Sequence, residues 1–259
     1  GSIVIEDDRI EEILIGRDVT PVLPTDSTID AEGCYLLPGV IDEHVHFRDP
    51  GLTHKADFDS ESRAAAAGGV TTVLDMPNTI PATVTAEALQ EKIERAQNLC
   101  HVNFGFFVGA TADNAHRLRQ INPSIVAGVK LFMGSSTGSL QVEDPDALLT
   151  VFEESRLPIM VHCEDTPMIT AAMKEHQALY GADPHVRYHA TIRSAEACFK
   201  STQQAIALAK ATQARLHVAH ISTACELDLF SPNDPLITAE ACLPHLLFTD
   251  ADYERLGTR

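Results

Sequence analysis

Short apolar runs alternate with amphipathic segments from Pro38 to the end of the chain. Seven of these runs have the length and bounding turn residues of buried strands: LLPGVIDEHVH, GGVTTVLDMPN, NFGFFVGA, SIVAGVKLFMG, LPIMVHCED, ARLHVAHIS and LITAEAC. Strands that are apolar on both faces and alternate with helices predict a parallel sheet. The spacing of the runs therefore predicts an α/β fold of the (β/α)8 TIM-like barrel type, with about seven strands in this chain.

Helical periodicity and capping residues mark the segments between the strands. TAEALQEKIERAQNLC has an apolar stripe that follows Thr85, and DPDALLTVFEESR begins with Asp144 and Pro145, an N-cap followed by proline in the first turn. The alanine-rich segment TIRSAEACFKSTQQAIALAKAT predicts a further, long helix.

The N-terminal residues follow a different pattern. Residues 1–37 contain two short hydrophobic runs with acidic breaks, followed by Pro, Asp and Gly at turn spacing, and they predict part of a small β-sandwich domain. Residues 38–259 are predicted to form the barrel, which is incomplete at its C-terminus. We expect an eighth strand and the remainder of the small β-domain to follow Arg259.

Composition narrows the class of protein. The chain has 259 residues, is 44% hydrophobic and carries a formal net charge of −18, which argues against nucleic-acid binding. It has no apolar run near the length of a membrane span and no signal-peptide pattern, so we expect no membrane association. Its six cysteines are scattered singly, which is typical of a reducing cytoplasm.

Polar residues gather at the predicted C-terminal ends of the strands, where barrel enzymes carry their active sites. His44 and His46 lie on one side of the first strand because side chains alternate with period two, so both can reach one metal ion. Arg48 follows the same strand, and the other strand ends supply Asp75, Asn78, Lys130, His162, His217, His220 and Glu240.

Four of these residues leave alternatives open. Lys130 interrupts an apolar strand, so it is either a buried ion-pair partner or a lysine carboxylated by carbon dioxide that bridges two metals. His217 and His220 are an odd number of residues apart, which predicts opposite faces and favours His220, nearer the strand end, as the ligand. Glu240 either faces the site at the rim of the barrel or is a structural hydrogen-bond acceptor. His245 is a candidate for substrate contact only because it lies close to this rim in the sequence order.

The segments DEHVHFRDPG, DMPNT, GVKLFMG, VHCED, HVAHIST and TAEACLPHLLF together resemble dihydroorotases, which are cyclic amidohydrolases of the metal-dependent amidohydrolase superfamily. The resemblance extends from about Ala31 to the end of the chain, in the right order. It implies two zinc ions, or similar divalent metals, bridged by carboxylated Lys130. His44 and His46 would bind the more buried metal, and His162 and His220 the second.

The resemblance also implies a substrate and a reaction. The substrate would be carbamoyl-aspartate or dihydroorotate, with Arg48 and Asn78 holding its carboxylate, a role that suits the planar guanidinium. Two metals would activate a water molecule for reversible ring closure in pyrimidine biosynthesis. The catalytic aspartate of the family ends the eighth strand, which we expect beyond Arg259.

Alternative functions share much of this pattern. Hydantoinases (dihydropyrimidinases) and allantoinases are expected to share the fold and the histidine and lysine set, and Arg48 favours a carboxylate-bearing substrate over simple hydantoins. A non-catalytic scaffold protein of the same fold is an alternative of another class, although such proteins typically lose ligand residues. A homodimer is one possible assembly.

Overall fold

The computed structural model describes residues 1–16, 19, 21, 24–31, 33–134 and 140–258. Most of the Gly/Ser-rich segment GSSTGSL (134–140) lies outside the described residues. The chain divides into two compact units, Gly1–Pro38 and Gly39–Arg259. In the first unit, β1 (Ser2–Glu6) and β2 (Arg9–Leu14) form a two-stranded antiparallel sheet.

A seven-stranded parallel sheet forms the centre of the second unit, and each strand pairs with the next one in chain order. Its strands are β3 (Val40–Val45), β4 (Val70–Asp75), β5 (Asn103–Gly109), β6 (Gly128–Phe132), β7 (Ile159–His162), β8 (Leu216–Val218) and β9 (Ile237–Ala239). All seven predicted strands are therefore confirmed, and their sequential parallel order is that of a TIM-like barrel wall.

Eight α-helices are found in the described residues, and most of them connect the strands. They are α1 (Phe58–Ala67), α2 (Ala86–Leu99), α3 (Pro145–Glu154), α4 (Thr166–Tyr180), α5 (His189–Ile192), α6 (Ala195–Thr212), α7 (Leu243–Leu247) and α8 (Ala251–Leu256). Short 3-10 helices cover Ala115–Gln120, Val186–Tyr188 and Ala224–Leu229.

The predicted caps account for two of the helix starts. The side chain of Thr85 accepts a hydrogen bond from the backbone N–H of Ala88, and the side chain of Asp144 accepts one from Ala147. The alanine-rich segment is broken into α5 and α6, and Ser194 caps the longer piece. The helix prediction for this segment is therefore right for its second part, since α6 begins only after a new N-cap.

The two faces of the sheet differ in what they bury. Alternate strand residues such as Val129 and Leu131 join the main apolar core, which also contains the α3 residues Leu148 and Val151. The intervening strand residues, which point to the other face of the sheet, pair in register with their counterparts on neighbouring strands. One row of such paired residues consists of Lys130, Met160, His217 and Thr238. Because side chains alternate along a strand, this row faces away from the core shared with α3.

A buried ion pair ties α2 to the loops that follow β3 and β4. Lys92 Nζ lies 2.6 Å from Asp75 Oδ2, and both side chains are almost completely buried. Lys92 also donates to the carbonyl oxygen of Met76, while Asp75 Oδ1 accepts from the backbone N–H of Phe47. The pair therefore fixes the backbone at Phe47, and with it the neighbouring residues His46 and Arg48.

Candidate metal centre

Four histidine rings from three strand ends form one cluster. The ring centroids of His44 and His46 are 5.3 Å apart, those of His44 and His220 are 5.4 Å apart, and those of His162 and His220 are 5.0 Å apart. His162 Nδ1 lies 3.1 Å from His220 Nε2. The structure thus brings together the four histidines that the sequence nominated as metal ligands.

Three of these rings have one nitrogen bound by an oxygen of a neighbouring residue. Glu240 contacts His44 Nδ1, Asn78 Oδ1 lies 2.8 Å from His46 Nδ1, and Glu164 Oε2 lies 2.8 Å from His162 Nε2. These oxygens are acceptors, so the bonded ring nitrogen carries the hydrogen. In a neutral imidazole the other nitrogen then keeps its lone pair, which is the form that binds a metal.

Two of the rings are held in the neutral state by their surroundings. Burial, together with the charge of Arg48, lowers the pKa of His46 to about 3. Burial and the neighbouring His162 likewise lower the pKa of His220 to about 3. At neutral pH both imidazoles are therefore unprotonated and available as ligands.

Lys130 contributes a buried amine to the site. Its side chain is fully buried, and its Nζ has no hydrogen-bond partner among the described residues. Burial lowers the pKa of Lys130 to about 8, although the charge of Glu240 opposes this shift. No ion pair to Lys130 is found in the described part of the chain, so of the two sequence interpretations the carboxylated lysine fits this environment better.

Glu240 connects the cluster to His217. Its Oε1 contacts the ring of His44 and accepts from the backbone N–H of His220, while its Oε2 lies 3.4 Å from His217 Nε2. The expectation that His217 and His220 point to opposite faces is therefore wrong. The alternation stops because β8 ends at Val218 and His220 has a left-handed backbone with φ of 41°.

A second group of candidate ligand atoms lies beside this contact. Glu43, His217 and Glu240 each offer one atom within 4.8 Å of the others. The sequence analysis did not nominate Glu43, and a glutamate preceding a predicted ligand carries no signal of such a contact by itself.

The residues expected to hold the substrate lie next to His46. Arg48 has a left-handed backbone with φ of 61°, and its guanidinium donates to the carbonyl oxygen of Asn78 at 3.4 Å. Asn78 uses its side-chain oxygen on His46, which leaves its amide hydrogens as donors. His245 is exposed on α7, where its ring lies 6.4 Å from that of His220 and its Nδ1 lies 3.3 Å from the hydroxyl of Ser222.

The donor set fits a metal centre of two ions. Neutral imidazoles and an unpartnered buried amine that can be carboxylated are suitable ligands for zinc and similar divalent metals. The outer oxygens of Glu240, Asn78 and Glu164 supply the hydrogen-bond acceptors that metal-binding histidines commonly have.

None of the helices in the described ranges combines the length and the apolar character that crossing a membrane requires.

Known proteins provide an independent comparison. The dihydro-orotase-like family profile matches residues 33–226. A dihydroorotase of Methanosarcina mazei is 34% identical over 99% of this chain and 57% of its own length. An allantoinase of Rubrobacter xylanophilus is 35% identical over 88% of this chain and 52% of its own length.

A solved structure agrees with the sequence relatives. The L-hydantoinase (dihydropyrimidinase) from Arthrobacter aurescens superposes with a TM-score of 0.84 at 30% identity, over 91% of this chain and 53% of that one. The chain thus spans a little more than half the length of the relatives it matches. Because the family profile covers most of the sequence, the chain belongs to the dihydro-orotase-like family.

Proposed function

We propose that the protein is a dihydroorotase, which interconverts N-carbamoyl-L-aspartate and dihydroorotate at a centre of two metal ions. The observation that carries this proposal is the cluster of four histidine rings beside a fully buried lysine whose Nζ finds no hydrogen-bond partner in the part of the chain that the structure describes. A buried amine without a partner is costly in a purely structural role. Carboxylation removes that cost by replacing the amine with a metal ligand.

The proposed ligands follow the two sides of the cluster. His44 and His46 would hold one metal, His162 and His220 would hold the other, and carboxylated Lys130 would supply a ligand to both. Zinc is the proposed metal because imidazole nitrogen and carboxylate-type oxygen are its usual ligands in hydrolases. Metals held by these residues would supply Lewis-acid chemistry, activating a water molecule and polarising the amide carbonyl of the substrate.

Arg48 and Asn78 are proposed to hold the substrate carboxylate. Arg48 lies close enough to His46 for its charge to lower the pKa of that ring, so an anion bound by Arg48 lies beside the metal ligands. The free amide hydrogens of Asn78 supply a second donor, because its oxygen already accepts from His46. A planar guanidinium and an amide together favour a substrate with a carboxylate.

A substrate panel tests this assignment. Rates are measured for carbamoyl-aspartate, dihydrouracil, hydantoin and allantoin with one metal-supplemented preparation of the full-length protein, which includes the expected eighth strand. We expect carbamoyl-aspartate to be the preferred substrate. Preference for allantoin would favour the activity named for the Rubrobacter relative instead. A metal content below one ion per chain would exclude the two-metal centre. It would also exclude the proposed catalytic role and favour a scaffold role.

The cellular role follows from the same reaction. Formation of dihydroorotate belongs to the synthesis of pyrimidines, and we propose that the protein acts there in the cytoplasm on a small-molecule substrate. The scattered single cysteines, all of them free in the structure, support a reducing compartment.

A further inference from the structure

The end of β7 contains a contact between a predicted ligand and a residue two positions later. Glu164 Oε2 lies 2.8 Å from His162 Nε2, and the Glu164 side chain is only 8% exposed. A carboxylate can only accept, so His162 carries its hydrogen on Nε2. In the neutral ring Nδ1 then has the lone pair, and Nδ1 is the nitrogen that faces His220 at 3.1 Å.

A second residue holds the carboxylate in place. Arg193, just before the N-cap of α6, donates from Nε to Glu164 Oε1 at 2.7 Å, and its NH2 group contacts Oε2. This two-point contact restricts rotation of the carboxylate, which a single hydrogen bond would not do. The orientation of His162 therefore depends on a segment that lies about thirty residues further along the chain.

The charge of Glu164 is matched by a permanently charged partner. The guanidinium of Arg193 contacts both carboxylate oxygens, and the Glu164 side chain is only 8% exposed. An ionised acceptor makes the opposite ring nitrogen a stronger electron donor than a neutral acceptor would.

We propose that Glu164 is a positioning residue for the metal centre: it fixes His162 as the Nε2–H tautomer with Nδ1 towards the metals, and Arg193 fixes Glu164. This inference rests on the proposed two-metal function. The competing explanation is an ion pair that only attaches α6 to the end of β7. The two explanations differ in whether the tautomer of His162 and the metal affinity depend on the carboxylate.

The first measurement needs no metal. In metal-free protein labelled with 15N-histidine, long-range proton–nitrogen correlations report which ring nitrogen carries the hydrogen. We expect His162 to be the Nε2–H tautomer in the wild type and to lose that preference in Glu164→Leu. Glu164→Gln should retain it in part, because the amide oxygen still accepts a hydrogen bond.

The second measurement is zinc affinity, determined by competition with a chromophoric chelator. We expect Glu164→Leu to lower the affinity about 10- to 100-fold, with Glu164→Gln and Arg193→Met intermediate. The cobalt-substituted protein should show a changed visible spectrum in the same order. If Glu164→Leu does not fold, the other two variants still test the proposal, because each weakens the Arg193–Glu164 contact without leaving an apolar side chain at position 164.

A matched control uses an ion pair away from the site. Glu154 pairs with Arg119 at 3.0 Å on a more exposed part of the surface, so Glu154→Gln removes an arginine–carboxylate pair away from the histidines and should change neither the tautomer nor the affinity. An unchanged tautomer and a zinc affinity within twofold of wild type in all three test variants would overturn the positioning role while leaving the proposed function intact. A wild-type protein that binds no metal would overturn the proposed function itself.

Discussion

Carboxylation of Lys130 is the prediction that follows most directly from the structure. The perturbation is Lys130→Ala, which removes a fully buried amine that has no hydrogen-bond partner within residues 33–134 and 140–258 or the other described ranges. The reaction with carbon dioxide needs the neutral amine, and burial lowers the pKa of Lys130 from 10.5 to about 8. At pH 7 the neutral fraction therefore rises from about 0.03% to about 9%, or roughly 300-fold.

Carbon-13 NMR with labelled bicarbonate detects the product. With zinc present, the wild-type protein should show a carbamate carbon resonance, and Lys130→Ala should lack it and bind fewer than two metals per chain. Lys200→Ala is the control, because Lys200 is 61% exposed and forms an ion pair with Asp165, and its loss should leave the resonance unchanged. A metal-loaded wild type without a carbamate signal, or an equal signal in Lys130→Ala, would refute the reasoning.

Three further predictions concern stability, substrate binding and pH. Lys92→Met leaves the carboxylate of Asp75 buried without its partner. It should therefore lower the free energy of unfolding, measured by urea titration, by about 3–5 kcal/mol. A loss below about 1 kcal/mol would contradict a buried ion pair. Arg48→Met should raise the KM for carbamoyl-aspartate about 10- to 100-fold, because a hydrogen bond to a charged group is lost, and it should leave the metal content unchanged. An unchanged KM would show that Arg48 does not bind the substrate. The pKa values of His46 and His220 fall from 6.5 to about 3 on folding. Between about pH 3 and pH 6.5 the unfolded chain therefore binds more protons than the folded protein, and the free energy of unfolding increases with pH. Each ring contributes a slope of at most about 1.4 kcal/mol per pH unit in metal-free protein, and His46→Asn should reduce the measured slope.

Local signals in the sequence predict much of the fold. The strand runs, the N-caps at Thr85 and Asp144 and the alanine-rich segment all correspond to elements found in the structure. The helices Phe58–Ala67 and Thr166–Tyr180 were not identified from the sequence, although Asp57 and Asp165 provide N-caps of the same kind. A capping residue is therefore informative even where the apolar stripe of the helix is weak.

The site was predictable only where strand position determines the outcome. The proposed ligands His44, His46, His162 and His220 lie together because parallel strands end at the same edge of the sheet, and their binding of metal stays a prediction. The rule of alternation misplaced His217, since it assumes that β8 continues to His220. The actual backbone leaves the strand at Val218.

The sequence by itself determined the parallel strands, the capped helices and the edge of the sheet at which the histidines collect, because periodicity and capping act over a few residues. Only the tertiary structure decided which oxygen holds each ring. Glu240 reaches His44 across 196 positions of sequence, and Arg193 fixes the carboxylate that contacts His162. Such contacts depend on side-chain rotamers and on the path of the chain after each strand, and they are made only once the barrel wall brings distant strand ends together.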